Sequence, residues 1–221
     1  MNSGSPPVLR TEVEIFVDFD GTITDVDTFD ALVRTQVGDA AWEVIEAKLL
    51  DGTITLREAL RREAALVRLS RADALAFLEA NANVDPAFGP FVARARTLGA
   101  GIRVVSSGIR SVIHDALSRA GVEIEVLAND VDFAANGWTM SFIDDSANGH
   151  DKAAHVRAAQ AAGRHTVFVG DGISDYEAAL TADHRFAKAG RRLEAYCRSR
   201  GVACVPFTSF DEISVALFGP P

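Results

Sequence analysis

Cysteine is scarce in this chain, and what there is has no motif spacing. Cys197 and Cys204 are the only two, they form no CxxC pair, and no histidine stands at metal-ligand spacing from either. Two ordinary thiols suit a reducing compartment, so a cytoplasmic location is expected. Long apolar runs are missing as well: none approaches the ~20 residues of a membrane span. Met1–Arg10 is rich in Pro and Ser and lacks the apolar stretch of a secretory signal, so residues 1–12 read as a loose tail. Positive charge is short too, with 22 Lys and Arg against 31 Asp and Glu and a net charge of -9. That balance disfavours nucleic acid and anionic membrane surfaces as partners. An anionic substrate remains open, provided that its site supplies local positive charge. The five histidines, His114, His150, His155, His165 and His184, show no metal spacing and read as surface or structural residues. Trp42 and Trp138 read as packing residues. The remaining composition, 48% hydrophobic over 221 residues, is that of a globular chain able to bury a full core in one or two domains. A monomer or homodimer is expected.

Three apolar runs end abruptly in small and polar residues. Ile15-Phe16-Val17 stops at Asp18-Phe19-Asp20-Gly21-Thr22, Ile102–Val105 at Ser106-Ser107-Gly108, and Thr166–Val169 at Gly170-Asp171-Gly172. Each reads as a buried strand running into a loop. Gly99, Gly121, Gly163 and Gly201 each close a helical stretch and precede a β-branched run, the usual C-terminal stop. Ser174-x-x-Glu177, Ser209-x-x-Glu212 and Thr55-x-x-Glu58 fit the capping box that opens a helix. Helix, glycine and strand in alternation imply βα units around a parallel sheet. Residues 26–85 break the rhythm. They read as helical near Thr28–Val37, Ala41–Leu50, Thr55–Leu69 and Arg71–Ala80, with no strand between, before Pro86 and Pro90 mark the return. The expectation is an α/β fold: a three-layer, Rossmann-like core from residues 13–25 and 86–221, and a small all-helical domain from residues 26–85.

Open α/β sheets bind ligands at the carboxyl ends of their strands. Three strand ends here carry Asp18 and Asp20, Ser106, and Asp171, and Lys152 stands at a helix start before the third strand. Carboxylates in such a set suit a hard divalent cation such as Mg2+. A carboxylate can also attack phosphorus and become an aspartyl-phosphate. Phosphoryl transfer asks mainly for positioning and charge neutralisation, which a metal, a lysine, a hydroxyl and backbone N–H groups supply. A calcium loop of the EF-hand kind is the rival for Asp18-x-Asp20-Gly21, and it fails: the glycine comes too early, and the twelfth position is Phe29.

These residues resemble the four motifs of the haloacid dehalogenase superfamily phosphatases, in order and across the chain from about residue 13. Asp18-Phe19-Asp20-Gly21-Thr22 is similar to the first, Ser106 in Val-Val-Ser-Ser-Gly to the second, Lys152 to the third, and Gly170–Asp175 to the fourth. The helical insertion matches that family's cap. The resemblance implies Asp18 as nucleophile and metal ligand. It implies Asp20 as general acid and then base, with its carbonyl on the metal. Ser106 and the N–H groups of Ser107 and Gly108 would hold phosphate oxygens, with Lys152 neutralising charge. Asp171 would bind Mg2+, and Asp175 would hold a metal-bound water or orient Lys152. An acid at position 20 points to phosphatases or phosphomutases rather than dehalogenases.

The cap type is similar to that of the phosphoserine phosphatase branch, and the stretch Arg191–Leu217 resembles the methionine-salvage enzymes that dephosphorylate a hydroxy-keto-methylthiopentenyl phosphate. Two positions depart from phosphoserine phosphatases. Asp27 stands where they carry a glutamate, and Glu63 falls near their carboxylate-binding arginine, with Arg61 and Arg62 able to compensate. Asp27 and Arg62 are therefore the expected substrate-selecting residues. The expected substrate is a small phosphorylated metabolite with an uncharged tail. Phosphoserine phosphatase, phosphotransferase or phosphomutase, and a non-catalytic phosphate-binding protein stay open as alternatives.

Overall fold

A computed structural model describes residues 12–134 and 136–220. Except for Glu12, the expected tail lies outside the described residues. Seven strands form one sheet: β1 (Val13–Val17), β2 (Gly101–Ile109), β3 (Glu125–Asp132), β4 (Thr139–Ser141), β5 (His165–Gly170), β6 (His184–Lys188) and β7 (Val205–Phe207), in the order β4-β3-β2-β1-β5-β6-β7. All neighbours run parallel except β3 and β4. The helices between strands are α5 (Phe88–Thr97), α6 (Arg110–Arg119), α7 (Lys152–Ala161), α8 (Tyr176–Thr181), α9 (Arg192–Ser199) and, last, α10 (Phe210–Phe218).

Side-chain alternation along β1 sorts these helices into two layers. Val13, Ile15 and Val17 face a cluster with Phe88 and Phe91 of α5, Ile113 and Leu117 of α6, and Phe210 and Ile213 of α10. Phe16 faces the other way, into Ala153 and Val156 of α7, Ala178 and Ala179 of α8, and Leu193 and Cys197 of α9. Because the sheet is covered on both faces, its central strands are apolar on both sides, which is why they read as continuous apolar runs.

The remaining helices, α1 (Thr28–Val37), α2 (Asp39–Leu50), α3 (Leu56–Leu66) and α4 (Arg71–Asn81), form one segment between β1 and α5. The chain leaves and returns through a narrow neck. Asp25 N–H donates to the Asn83 carbonyl at 3.1 Å, and Asp85 N–H donates to the Ile23 carbonyl at 2.8 Å. The segment does not bury its apolar face on itself alone. Phe29, Leu32, Val33, Leu60, Ala64 and Leu78 share one cluster with Ile109, Val112, Val131, Trp138 and Met140. Trp138 is buried under α3 and α4, its backbone N–H on the Ala64 carbonyl (3.0 Å) and its Nε1–H on the Leu69 carbonyl (2.8 Å).

The capping expectations divide. Thr55 and Ser209 accept backbone N–H groups as helix caps. Glu58 instead turns to Arg61 and Arg62, and Glu212 reaches back to Thr208. Ser174 caps nothing: a 3-10 turn over Ile173–Asp175 precedes α8, and the Ser174 hydroxyl accepts from Lys152. No helix among the described residues is long and apolar enough to cross a membrane.

Candidate active site

The strands β2, β1 and β5 are neighbours, so their carboxyl ends bring Ser106, Asp18 and Asp171 to one place. Lys152, the first residue of α7, reaches the same point from below. Its ammonium group donates to Asp18 Oδ1 (2.6 Å), Asp175 Oδ1 (2.7 Å) and Ser174 Oγ (2.9 Å), which uses all three of its donors. It is only 2% exposed. Burial opposes its charge, yet Asp175 and Asp18 together push the ammonium above its usual range.

The carboxylates carry the opposite strain. Burial, with Asp175 alongside, raises Asp18 to about 7 against the pull of Lys152. Burial, with Asp18 and Asp175 alongside, raises Asp171 to about 9. One lysine does not neutralise this cluster. Asp18, Asp171 and Asp175 each place a carboxylate oxygen within 4.8 Å of the others. An all-oxygen set short of positive charge fits a hard divalent cation. Of the three, Asp175 has both oxygens engaged: Oδ1 takes Lys152, and Oδ2 takes the N–H groups of Asp171 (2.9 Å) and Gly172 (3.0 Å). Its geometry is that of a group that shapes the loop after β5 and orients the lysine.

Asp20 sits two residues beyond Asp18, half-buried. Its Oδ1 accepts the Thr28 N–H (2.9 Å) and the Thr28 hydroxyl, at the start of α1. Burial and nearby Asp27 raise it to about 7 despite those two bonds, so near neutrality it is able both to give and to take a proton. Two glycines make room for these acids. Gly21 has φ +70°, and a side chain there would overlap the Asp171 carboxylate; one at Gly108 would overlap the Asp20 carboxylate.

The loop after Val105 is pinned from behind. His150, buried, bonds the Ser106 carbonyl through Nδ1 (2.8 Å), and Asn129 donates Nδ2–H to the Ser107 carbonyl (2.8 Å). The Gly108 N–H rests on Ser106 Oγ (2.9 Å), while the buried Ser107 hydroxyl has no partner among the described residues. His150, Asn129, Ser174 and Thr28 are site residues that sequence patterns do not reveal. His150, Asn129 and Thr28 lack a motif of their own, and Ser174, inside Gly170–Asp175, reads there as a helix cap; each gains its role from a contact outside its own segment.

A cavity of about 270 Å³ opens above these groups. Asp18, Asp20, Ser106, Ser107, Gly108 and Asp171 line its floor, and α1, α2 and α3 roof it. Asp27 lines it and caps α1. Arg62, expected as a substrate-selecting residue, lies elsewhere: with Arg61 it bonds Glu58 on the outer face of α3, and neither lines the cavity. The helical period decides this, since Leu56, Ala59, Leu60 and Glu63 share the inward stripe. Trp42, read as packing, is also a cavity wall, its Nε1–H on Asp30 Oδ1 (3.1 Å).

Known proteins resemble this chain in sequence and fold. Residues 15–180 match the haloacid dehalogenase-like hydrolase family. The chain is 34% identical over 215 residues to Pdp3-interacting factor 1 of Schizosaccharomyces pombe, covering 92% of this chain and 94% of that one. It is 30% identical to the polyol phosphate phosphatase PYP1 of Saccharomyces cerevisiae, covering 92% and 91%. It is 28% identical to the 2-hydroxy-3-keto-5-methylthiopentenyl-1-phosphate phosphatase of Exiguobacterium sibiricum, covering 91% and 94%. Among solved structures, a phospho-aspartyl intermediate analogue of phosphoserine phosphatase superposes with a TM-score of 0.72 at 18% identity, covering 92% of this chain and 98% of that one. That last likeness is one of fold. With Asp18, Ser106 and Asp171 from three strand ends on one cavity floor and Lys152 bonded to Asp18 behind it, the chain belongs to the haloacid dehalogenase-like hydrolase family.

Proposed function

We propose that this protein hydrolyses a small phosphomonoester through an aspartyl-phosphate formed on Asp18, with Mg2+ as cofactor. The observation that carries the reading is Asp18 itself: a buried carboxylate on the cavity floor, fixed by Lys152, with a second acid two residues away that titrates near neutrality. In the first step a carboxylate oxygen of Asp18 bonds to phosphorus and the ester oxygen leaves, taking its proton from Asp20. In the second, Asp20 takes a proton from water, whose oxygen attacks the phosphoryl group and restores the Asp18 carboxylate. Ser106 and the N–H groups of Ser107 and Gly108 hold the phosphate oxygens, and Lys152 offsets their charge. Asp18, Asp171 and the Asp20 carbonyl would hold Mg2+, with Asp175 beside them. When bound, the ion supplies the positive charge that the carboxylate cluster lacks.

The relatives' names favour an ester with an uncharged hydroxylated or keto tail over phosphoserine. Glu63 in the cavity wall, where an arginine would suit a carboxylate, points the same way. The partner is then a small phosphorylated metabolite, neither nucleic acid nor membrane, met in the cytoplasm, where two free thiols are stable. The test is p-nitrophenyl phosphate hydrolysis by purified protein. Chelator abolishes it and Mg2+ restores it; full activity in excess chelator overturns the metal assignment.

A further inference from the structure

The roof of the cavity carries four acids, and three of them have partners. Glu46 pairs with Arg192 at 2.6 Å. Asp30 accepts Trp42 Nε1–H at 3.1 Å, and Asp27 accepts the Asp30 N–H at 2.9 Å. Glu63 differs. It is 4% exposed, it lines the cavity, and no donor among the described residues reaches its carboxyl group. It sits at the end of an inward stripe, Leu56-Ala59-Leu60-Glu63, where the helical period calls for another apolar residue. With no protein partner, its carboxyl oxygens open onto the cavity, where a bound ligand is placed to take the hydrogen bond that the protein does not supply.

The surroundings narrow the ligand. Of the two arginines at the mouth, Arg192 pairs with Glu46 and Arg191 gives one N–H to the Asp25 carbonyl (3.1 Å), so a carboxylate tail would meet four roof acids against a single cation not paired with an acid. Phe29, Leu49, Leu56 and Leu60 provide apolar walls for a short carbon chain. Burial, with Asp27 and Glu46 nearby, raises Glu63 to about 8. A neutral carboxyl group presents one donor and one acceptor, which matches a hydroxyl better than an ammonium ion. Resting on the phosphatase reading above, we propose that Glu63 selects the leaving group by hydrogen-bonding the hydroxyls of an uncharged polyol carried by the phosphate ester.

The experiment measures kcat/KM of the full chain on glycerol 1-phosphate, L-phosphoserine, phosphoethanolamine and p-nitrophenyl phosphate. Wild type favours glycerol 1-phosphate over phosphoserine and phosphoethanolamine by about tenfold or more. Glu63→Leu lowers the ratio of glycerol 1-phosphate to p-nitrophenyl phosphate by about tenfold, chiefly through KM, whereas Glu63→Gln, which still donates and accepts, holds that ratio within about threefold. Glu63→Met replaces the leucine variant should the latter fail to fold. An unchanged ratio in the leucine variant overturns the proposal. So does a preference for phosphoethanolamine that Glu63→Gln abolishes, which would mark a cation site, or a preference for phosphoserine. Loss of all turnover in wild type would sink the reaction reading instead. Calorimetric binding of glycerol 1-phosphate to Asp18→Asn protein, weakened about tenfold by adding Glu63→Leu, then tests the contact alone.

Discussion

On the floor of the cavity Lys152 donates to Asp18, Asp175 and Ser174, Asp175 spends its second oxygen on two backbone N–H groups, and His150 and Asn129 pin the loop that carries Ser106. On the roof Glu63 is just as buried and has no donor among the described residues. Both regions hide carboxyl groups from water, but on the floor Lys152 and backbone N–H groups tie Asp18 and Asp175 into one network, whereas Glu63 stands outside any. A hydrogen-bonded polar network is rigid, and removing one member leaves the others stranded. Such a network suits chemistry that is the same for every substrate. A buried carboxyl left open costs stability in the free protein and recovers it from a ligand, which suits the part of the site that chooses among substrates.

The largest break in this contrast comes from the floor. Asp18→Asn keeps an oxygen for Lys152 but is a far poorer nucleophile. A loss of about 10³-fold or more in kcat/KM is expected for every phosphomonoester, with little change in fold. Turnover of p-nitrophenyl phosphate, with circular dichroism as a control, measures it; a loss confined to one substrate would contradict the assignment. Asp20→Asn cuts deeper for some esters than for others. Glycerol 1-phosphate, whose alkoxide needs a proton, should lose about 10²-fold or more, and p-nitrophenyl phosphate, whose phenolate leaves without one, clearly less. Equal losses would remove Asp20 from the general-acid role.

Much of the floor was legible in the sequence because three of its residues each follow an apolar run that reads as a central strand. Asp18, Ser106 and Asp171 mark strand ends, and a parallel sheet gathers strand ends by construction. Helix boundaries were legible where glycine stops them: Gly99, Gly121, Gly163 and Gly201 all have positive φ. Contacts between distant side chains were not. Ser174 resembles a helix cap and serves Lys152, since the ammonium group is the stronger competitor for its oxygen. Strand β4 is three residues long and has no periodicity to detect, yet with Trp138 it completes the apolar cluster of the cap helices. Arg62 was attractive by position in sequence, and the helical period sets it on the outer face of α3, paired with Glu58.

His150 offers a smaller break, behind the floor rather than in it. Burial lowers its imidazole to about 4, so it is neutral across the working range and bonds the Ser106 carbonyl and His155. His150→Ala frees the Ser106 carbonyl without touching a reacting atom. A drop of about tenfold in kcat/KM, similar for glycerol 1-phosphate and p-nitrophenyl phosphate, is expected. A change in the ratio of the two substrates would place His150 with the selecting residues instead.

The smallest effect, and the one that sharpens the contrast most directly, is the pH dependence of stability set by Glu63. Its ordinary value is 4.5, and in the folded protein burial, then Asp27 and Glu46, raise it to about 8. Below pH 4.5 both folded and unfolded states hold the proton, and Glu63 imposes no electrostatic penalty. Between 4.5 and 8 the unfolded chain releases the proton and the folded chain retains it, so stability falls as pH rises through that window. Glu63→Gln cannot titrate and escapes the fall. The melting-temperature advantage of the variant should therefore widen from pH 5 to pH 8. Every tenfold difference in proton affinity between the two states is worth up to about 1.4 kcal/mol, and relaxation of the cavity leaves about 1–2 kcal/mol in all, or about 3–6 °C for a chain of this size. The acids that face Glu63 are present in both proteins, so their own titration largely cancels. An advantage that stays constant across that range would mean that the Glu63 carboxyl finds a donor in the folded protein, and the roof would then differ from the floor in shape but not in charge.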